Sequence, residues 1–150
     1  STHTIAESTA ICDYIIAAHG DGSGMKRTDP IEIAKVSEAV SVMMSFLMKL
    51  GSNINEKNLE KKMSDRKEMV ETSIPFIMSA LDGRIQDTGF VSEGTITIAD
   101  VLIESLVKSF ESGFLDAIPK DILKPYKNIN KCAENVRNHP KIKAYYASKS

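Results

Sequence analysis

Between Ile33 and Leu50 the apolar residues Ile33, Val36, Val40, Met43, Leu47 and Leu50 recur at spacings of 3, 4, 3, 4 and 3. That is the repeat of an α-helix that lays one stripe against a neighbour. Asp29-Pro30 supplies the start, a capping side chain followed by the residue whose fixed φ suits the first helical turn. A seam of this length has to be covered by another helix, which points to a fold built by packing helices on helices. Ser37, Ser41 and Ser45 form a second row of small residues along the same helix, so a neighbour can approach closely there. Met43, Met44 and Met48 read as adaptable filler of a core or an interface.

The rest of the chain has the same period and almost no alternation. "THTI" is the one β-like stretch, too short to build a sheet. "ESTAICDYIIAAHG" reads as a helix closed by Gly20. A helical segment from about residue 55 to 85 carries Met63, Val70, Ile77 and Leu81 on one face, and Pro75 should kink it or restart it. Ile98, Leu102, Leu106 and Phe110 recur every fourth residue. Pro119 is expected to open a helix with Ile129, Ala133 and Val136 inside, ending before His139-Pro140, and Ile142 to Ala147 make a short last one. The fold class is all-α, a bundle of about six helices.

The start of the helix after residue 97 is strongly marked. Thr97 and Asp100 match a capping box, and Ile96 with Val101 match the flanking hydrophobic staple. Alanine at either capping position is expected to cost about 1 kcal/mol.

With 150 residues and 42% hydrophobic content, the chain can bury a core without covalent staples. Cys12 and Cys132 occur without a CxxC pair, which fits a reduced, cytoplasmic setting better than a secreted one. No run approaches the roughly 18 apolar residues of a membrane span. His3, His19 and His139 share no metal-ligand spacing, so no metal site is expected. The glycines of "GDGSGMKRT" follow no strand and precede no Gly-Lys-Ser/Thr, which argues against a phosphate loop. Cys12 and Tyr14 lie in a helical pattern without a base beside them.

The formal charge of −1 is unevenly spread. Residues 119–150 hold eight Lys or Arg against two acids, a net +6, which leaves −7 for the preceding 118. Such an end can attract an acidic partner. With only Tyr126, Tyr145 and Tyr146 as its aromatics, a solvated helix face is a better reading than nucleic-acid binding.

Three motifs in order carry a resemblance: "TITIADVLI", then "SGFLDAIP", then "YKNINKCAENVRNHPKIKAYY". Together with the opening "THTIAESTAICDYI" they resemble the all-helical C-terminal domain of cytosolic glutathione transferases, of sigma-like type, over essentially the whole chain. The resemblance implies that residues 1–7 are the remnant of the last strand and hinge of a thioredoxin-like domain, and that 8–150 form the helical domain. It further implies that the residue activating the thiol belongs to the thioredoxin-like half, so no catalytic residue is expected in this chain, and the chain alone is expected to be inactive.

What the resemblance leaves here is Glu7-Ser8. The hydroxyl and N–H of Ser8 suit the carboxylate of a γ-glutamyl group, and the carboxylate of Glu7 suits its ammonium. A bland alternative is that Ser8 is an N-cap. In sigma-like members an aspartate from the partner subunit's long helix meets the ammonium. The matching region here, near Met44 and Ser45, has no acid between Glu38 and Glu56, so Glu7 is expected to supply the charge. The resemblance also implies glutathione as co-substrate, an apolar electrophile as second substrate with Phe46, Leu47 and Leu50 shaping its pocket, and a homodimer formed by the helices at 8–18 and 29–50. The alternatives are a non-catalytic module for assembling protein complexes and a structural relative.

Overall fold

The structure, a computed structural model, describes residues 3–149. Ser1 and Thr2 of the expected strand remnant lie outside the described residues, and Ser150 does too. Among the described residues seven helices follow one another: α1 (Ser8–His19), α2 (Pro30–Ile54), α3 (Leu59–Glu71), α4 (Ser73–Asp82), α5 (Ile98–Glu111), α6 (Lys127–Asn138) and α7 (Pro140–Ala147). No strand occurs among the described residues. The all-helical expectation holds.

Local chemistry fixes most of the ends. Asp29 caps α2 by accepting the N–H groups of Ile31 and Glu32, each at 3.0 Å, with Pro30 in the first turn. Asn58 caps α3 through the N–H of Lys61 at 3.0 Å. Gly20 closes α1 because its N–H reaches the carbonyl of Ile16 at 2.9 Å, and a Cβ there would stand 2.2 Å from that oxygen. The break expected at Pro75 falls at Thr72, between α3 and α4. Proline then sits in the first turn of α4, where its missing N–H leaves no helical bond unmade.

The helix expected from Pro119 does not form there. Residues 120–125 are turns and α6 begins at Lys127. Pro125 explains the delay, since it lacks a donor and pushes Lys124 away from helical backbone.

α5 is the middle of the bundle. It buries Ala99, Ile103, Leu106, Val107 and Phe110 between α2 and α6. The rings of Phe46 and Phe110 stack with centroids 6.3 Å apart and planes 24° from parallel. From α6, Ile129, Cys132, Ala133 and Val136 complete the core. By contrast, α1 and α7 bury none of their residues. Those two helices are attached to the bundle but do not build its interior.

Candidate functional site

A groove of about 390 Å³ lies where α1 faces α2 and the first turns of α5. One side is polar, with Ser8, Thr9, Cys12 and Asp13. The other is mainly apolar, with Val36, Val40 and Met44 on α2 and Ile98 and Leu102 on α5. These α2 positions recur at intervals of four and face roughly 100° around the helix from the core row Ala39, Met43, Phe46 and Leu50.

The residues expected to shape the second-substrate pocket lie elsewhere. Phe46 and Leu50 are core residues, 1% and 5% exposed, and Leu47 packs half-buried against the same core. None of the three lines the groove. The physical reason is that both flanks of the seam are apolar, so packing against α5 settles which flank turns inward.

At one end of the groove lies the start of α1. Glu7, the residue before the helix, has φ 70° and ψ 127°, a sparsely populated conformation for any residue with a Cβ. Its side chain makes no capping bond. Ser8 is therefore the first helical residue, not the N-cap of the bland alternative. The Glu7 side chain takes none of the first N–H groups of α1, which leaves an anion-friendly terminus beside an exposed carboxylate.

Two polar networks tie the start of α2 and the connector before it to the loop before α5. Arg27 donates to the carbonyls of Gly24 and Thr95 at 2.9 and 3.0 Å and to the Thr95 hydroxyl at 2.7 Å, so the connector before α2 is tied to the loop before α5. Glu32 accepts from Lys35 at 2.7 Å, the Ser92 hydroxyl at 2.6 Å and the N–H of Glu93 at 3.0 Å. Those three donors, Lys35 foremost, hold its carboxyl down at about 2.

The capping box read from Thr97 and Asp100 forms at the start of α5. Asp100 Oδ2 accepts both the N–H and the hydroxyl of Thr97 at 2.7 Å. Its other oxygen accepts the N–H of Val91 at 2.9 Å and the Cys132 thiol at 3.3 Å. Asp100 is fully buried, so the box joins the loop at Val91, the start of α5 and the middle of α6. The sequence pattern identifies the bond from the Thr97 N–H but not those from Val91 and Cys132, which reach Asp100 only through tertiary packing.

The family described as glutathione S-transferase, C-terminal domain, matches residues 44–149. The chain belongs to this family. Its fold is also similar to the solved structure of NaGST-2, with a TM-score of 0.71 and 18% identity, over 97% of this chain and 69% of that one. No curated protein sequence matches it at a significant level. As a glutathione-transferase C-terminal domain, the chain is expected to be helical, and it is. No helix among the described residues is long and apolar enough to cross a membrane, and no group of three or more His, Cys, Asp or Glu there is placed to hold a metal.

Proposed function

We propose that this domain is the helical part of an enzyme that adds the glutathione thiolate to apolar electrophiles in the reduced cytoplasm, with Glu7 and Ser8 holding the γ-glutamyl end of glutathione. The observation that carries the reading is the backbone of Glu7. A non-glycine residue at φ 70° costs about 1–3 kcal/mol, and such strain concentrates where a ligand is gripped. The strained residue stands directly before an α1 terminus without a side-chain cap. The Ser8 N–H and hydroxyl would take the γ-glutamyl carboxylate, and the Glu7 carboxylate would take the ammonium, a charge-assisted pair worth roughly 1.5–3 kcal/mol.

No residue of this chain is assigned to activating the thiol. For the electrophile, the apolar wall formed by Val36, Val40 and Met44 is where α2 offers surface beside Ser8. Both cysteines are free, which suits a reducing compartment. The second reading, a module that assembles protein complexes, is favoured by the basic final 32 residues.

Calorimetric titration of glutathione into the intact protein separates the two. Binding that weakens about tenfold or more in Glu7→Gln is expected, and Ser45→Asp should restore part of it. Equal affinity in Glu7→Gln would remove Glu7 from the site, and no binding to the parent would leave the assembly reading.

A further inference from the structure

Helix α7 and the turn before it, residues 138–149, contain no acid and four basic or titratable nitrogen side chains: His139, Lys141, Lys143 and Lys149. The helix buries none of its residues, so core packing does not account for its composition. Lys141 and Lys143 have no ion-pair partner among the described residues. Beside them the exposed rings of Tyr145 and Tyr146 meet edge to face at 5.6 Å. The ammonium of Lys149 stands 5.7 Å from the Tyr145 centroid, and that of Lys108, from α5, stands 4.8 Å from the Tyr146 centroid. The carboxylates of Glu104 and Glu111 on α5 do not neutralise this face, because Arg137 engages them at 3.0 and 2.8 Å.

We propose that α7, together with Lys108, is a docking surface for an acidic protein segment. Its cations are spread along an exposed helix and two of them are held over aromatic rings, which orders them before a carboxylate arrives. The same geometry selects among anionic partners. A cation already stands over each tyrosine ring and the two rings meet edge to face, so they form no pair of parallel open faces for the base stacking that single-stranded nucleic acid uses. The one large aliphatic side chain of α7, Ile142, is half-buried against the protein, so the helix has no apolar face to sink into a lipid surface. A flexible run of Asp or Glu needs neither and gains from every unpaired ammonium it meets.

The test is fluorescence anisotropy of a labelled oligoglutamate peptide with the intact protein. Binding is expected at low ionic strength and lost at about 0.5 M salt, where exposed charges are screened beyond a few ångström. Lys141→Glu with Lys143→Glu should weaken it about tenfold or more. Lys57→Glu with Lys67→Glu makes the same charge change at exposed positions elsewhere and should weaken it less than about twofold. Thermal melts of both double variants should match the parent, since none of the four side chains is buried. Equal losses in the two variants, or no loss in the first, would reduce α7 to a solvated face and overturn the proposal. Tighter binding of oligouridylate or of phosphatidylserine vesicles than of the peptide would overturn it in favour of nucleic acid or membrane.

Discussion

The thiol of Cys132 on α6 donates to Oδ1 of Asp100 on α5 at 3.3 Å, with both side chains fully buried. A carboxylate in an apolar interior is costly unless its lone pairs are filled. Here the thiol is the donor that comes from α6, completing a set otherwise supplied by Thr97 and Val91. The start of α5 is therefore fastened to its main packing partner as well as capped.

Thr97→Ala should lower stability by about 1 kcal/mol, the usual cost of a lost cap. Asp100→Ala should cost about 3 kcal/mol or more, above the sequence-based expectation, because it strands the N–H of Val91 as well as that of Thr97 in the interior. The double variant should lose less than the sum, since both residues serve one network. Urea midpoints of the three variants check this, and additive changes would sever the network.

Burial, followed by the charge and hydrogen bond of Asp100, pushes the Cys132 thiol well above its ordinary value of 9.0. The folded state thus keeps this proton after the unfolded chain has released it. Stability from this group is complete below pH 9 and falls as pH rises beyond it, by up to about 1.4 kcal/mol per pH unit. The alkaline limb of a stability–pH curve should be shallower in Cys132→Val than in the parent. A thiol reagent should titrate Cys12, which is half-buried beside the groove, while Cys132 reacts only on unfolding.

Glu32 behaves in the opposite sense. Its carboxyl is held down from 4.5 to about 2 by Lys35, Ser92 and the N–H of Glu93. The stability it contributes is present above pH 4.5 and lost as pH falls from there toward 2. Glu32→Gln should flatten that part of the acid limb. In the parent, the amide resonance of Glu93 should shift with a midpoint well below an ordinary glutamate's, and a midpoint near 4.5 would refute the linkage.

Arg66 is 4% exposed, yet its guanidinium donates to Asn53 at 2.8 Å and to the carbonyl of Asp116 at 3.1 Å. That carbonyl precedes Ala117, held at φ 62°. Arg66→Ala should destabilise the protein by about 2–4 kcal/mol, by leaving the buried Asn53 oxygen without its donor, freeing the part-buried Asp116 carbonyl and emptying the volume of a buried side chain. Arg66→Lys should not restore it, because one ammonium cannot reproduce the planar fork. Full recovery in the lysine variant during thermal unfolding would count against this account.

The dimer expected from the resemblance remains a proposal, and exposed side chains on α1 and α2 are consistent with it. Ile11 and Ile15 are 41% and 51% exposed, and Ile33 is 46% exposed. The intact protein should sediment as a dimer at micromolar concentration, and Ile11→Arg with Ile15→Arg should shift it to monomer. A parent that sediments as a monomer would exclude this assembly.

The sequence by itself determined the helical class, the caps at Asp29, Thr97 and Asp100, and the family, because helix period and capping chemistry are local and three ordered motifs are specific. It did not determine the phase of the helices. On α2 the expected row Ile33, Val36, Val40, Met43, Leu47, Leu50 shares only Met43 and Leu50 with the buried row Ala39, Met43, Phe46, Leu50. On α5, Ile98 and Leu102 turn to the groove while Ala99 and Ile103 turn inward. Both helices are apolar over more than one stripe, so the pattern leaves the phase open, and the packing of the core, Phe46 against Phe110 included, chooses it. The same choice exposes Val36, Val40 and Met44 to the groove and removes Phe46 and Leu50 from it. Contacts such as Glu32 with Ser92 or Arg66 with Asp116 join residues 60 and 50 positions apart. No local pattern encodes such pairs, because they exist only once the helices have packed.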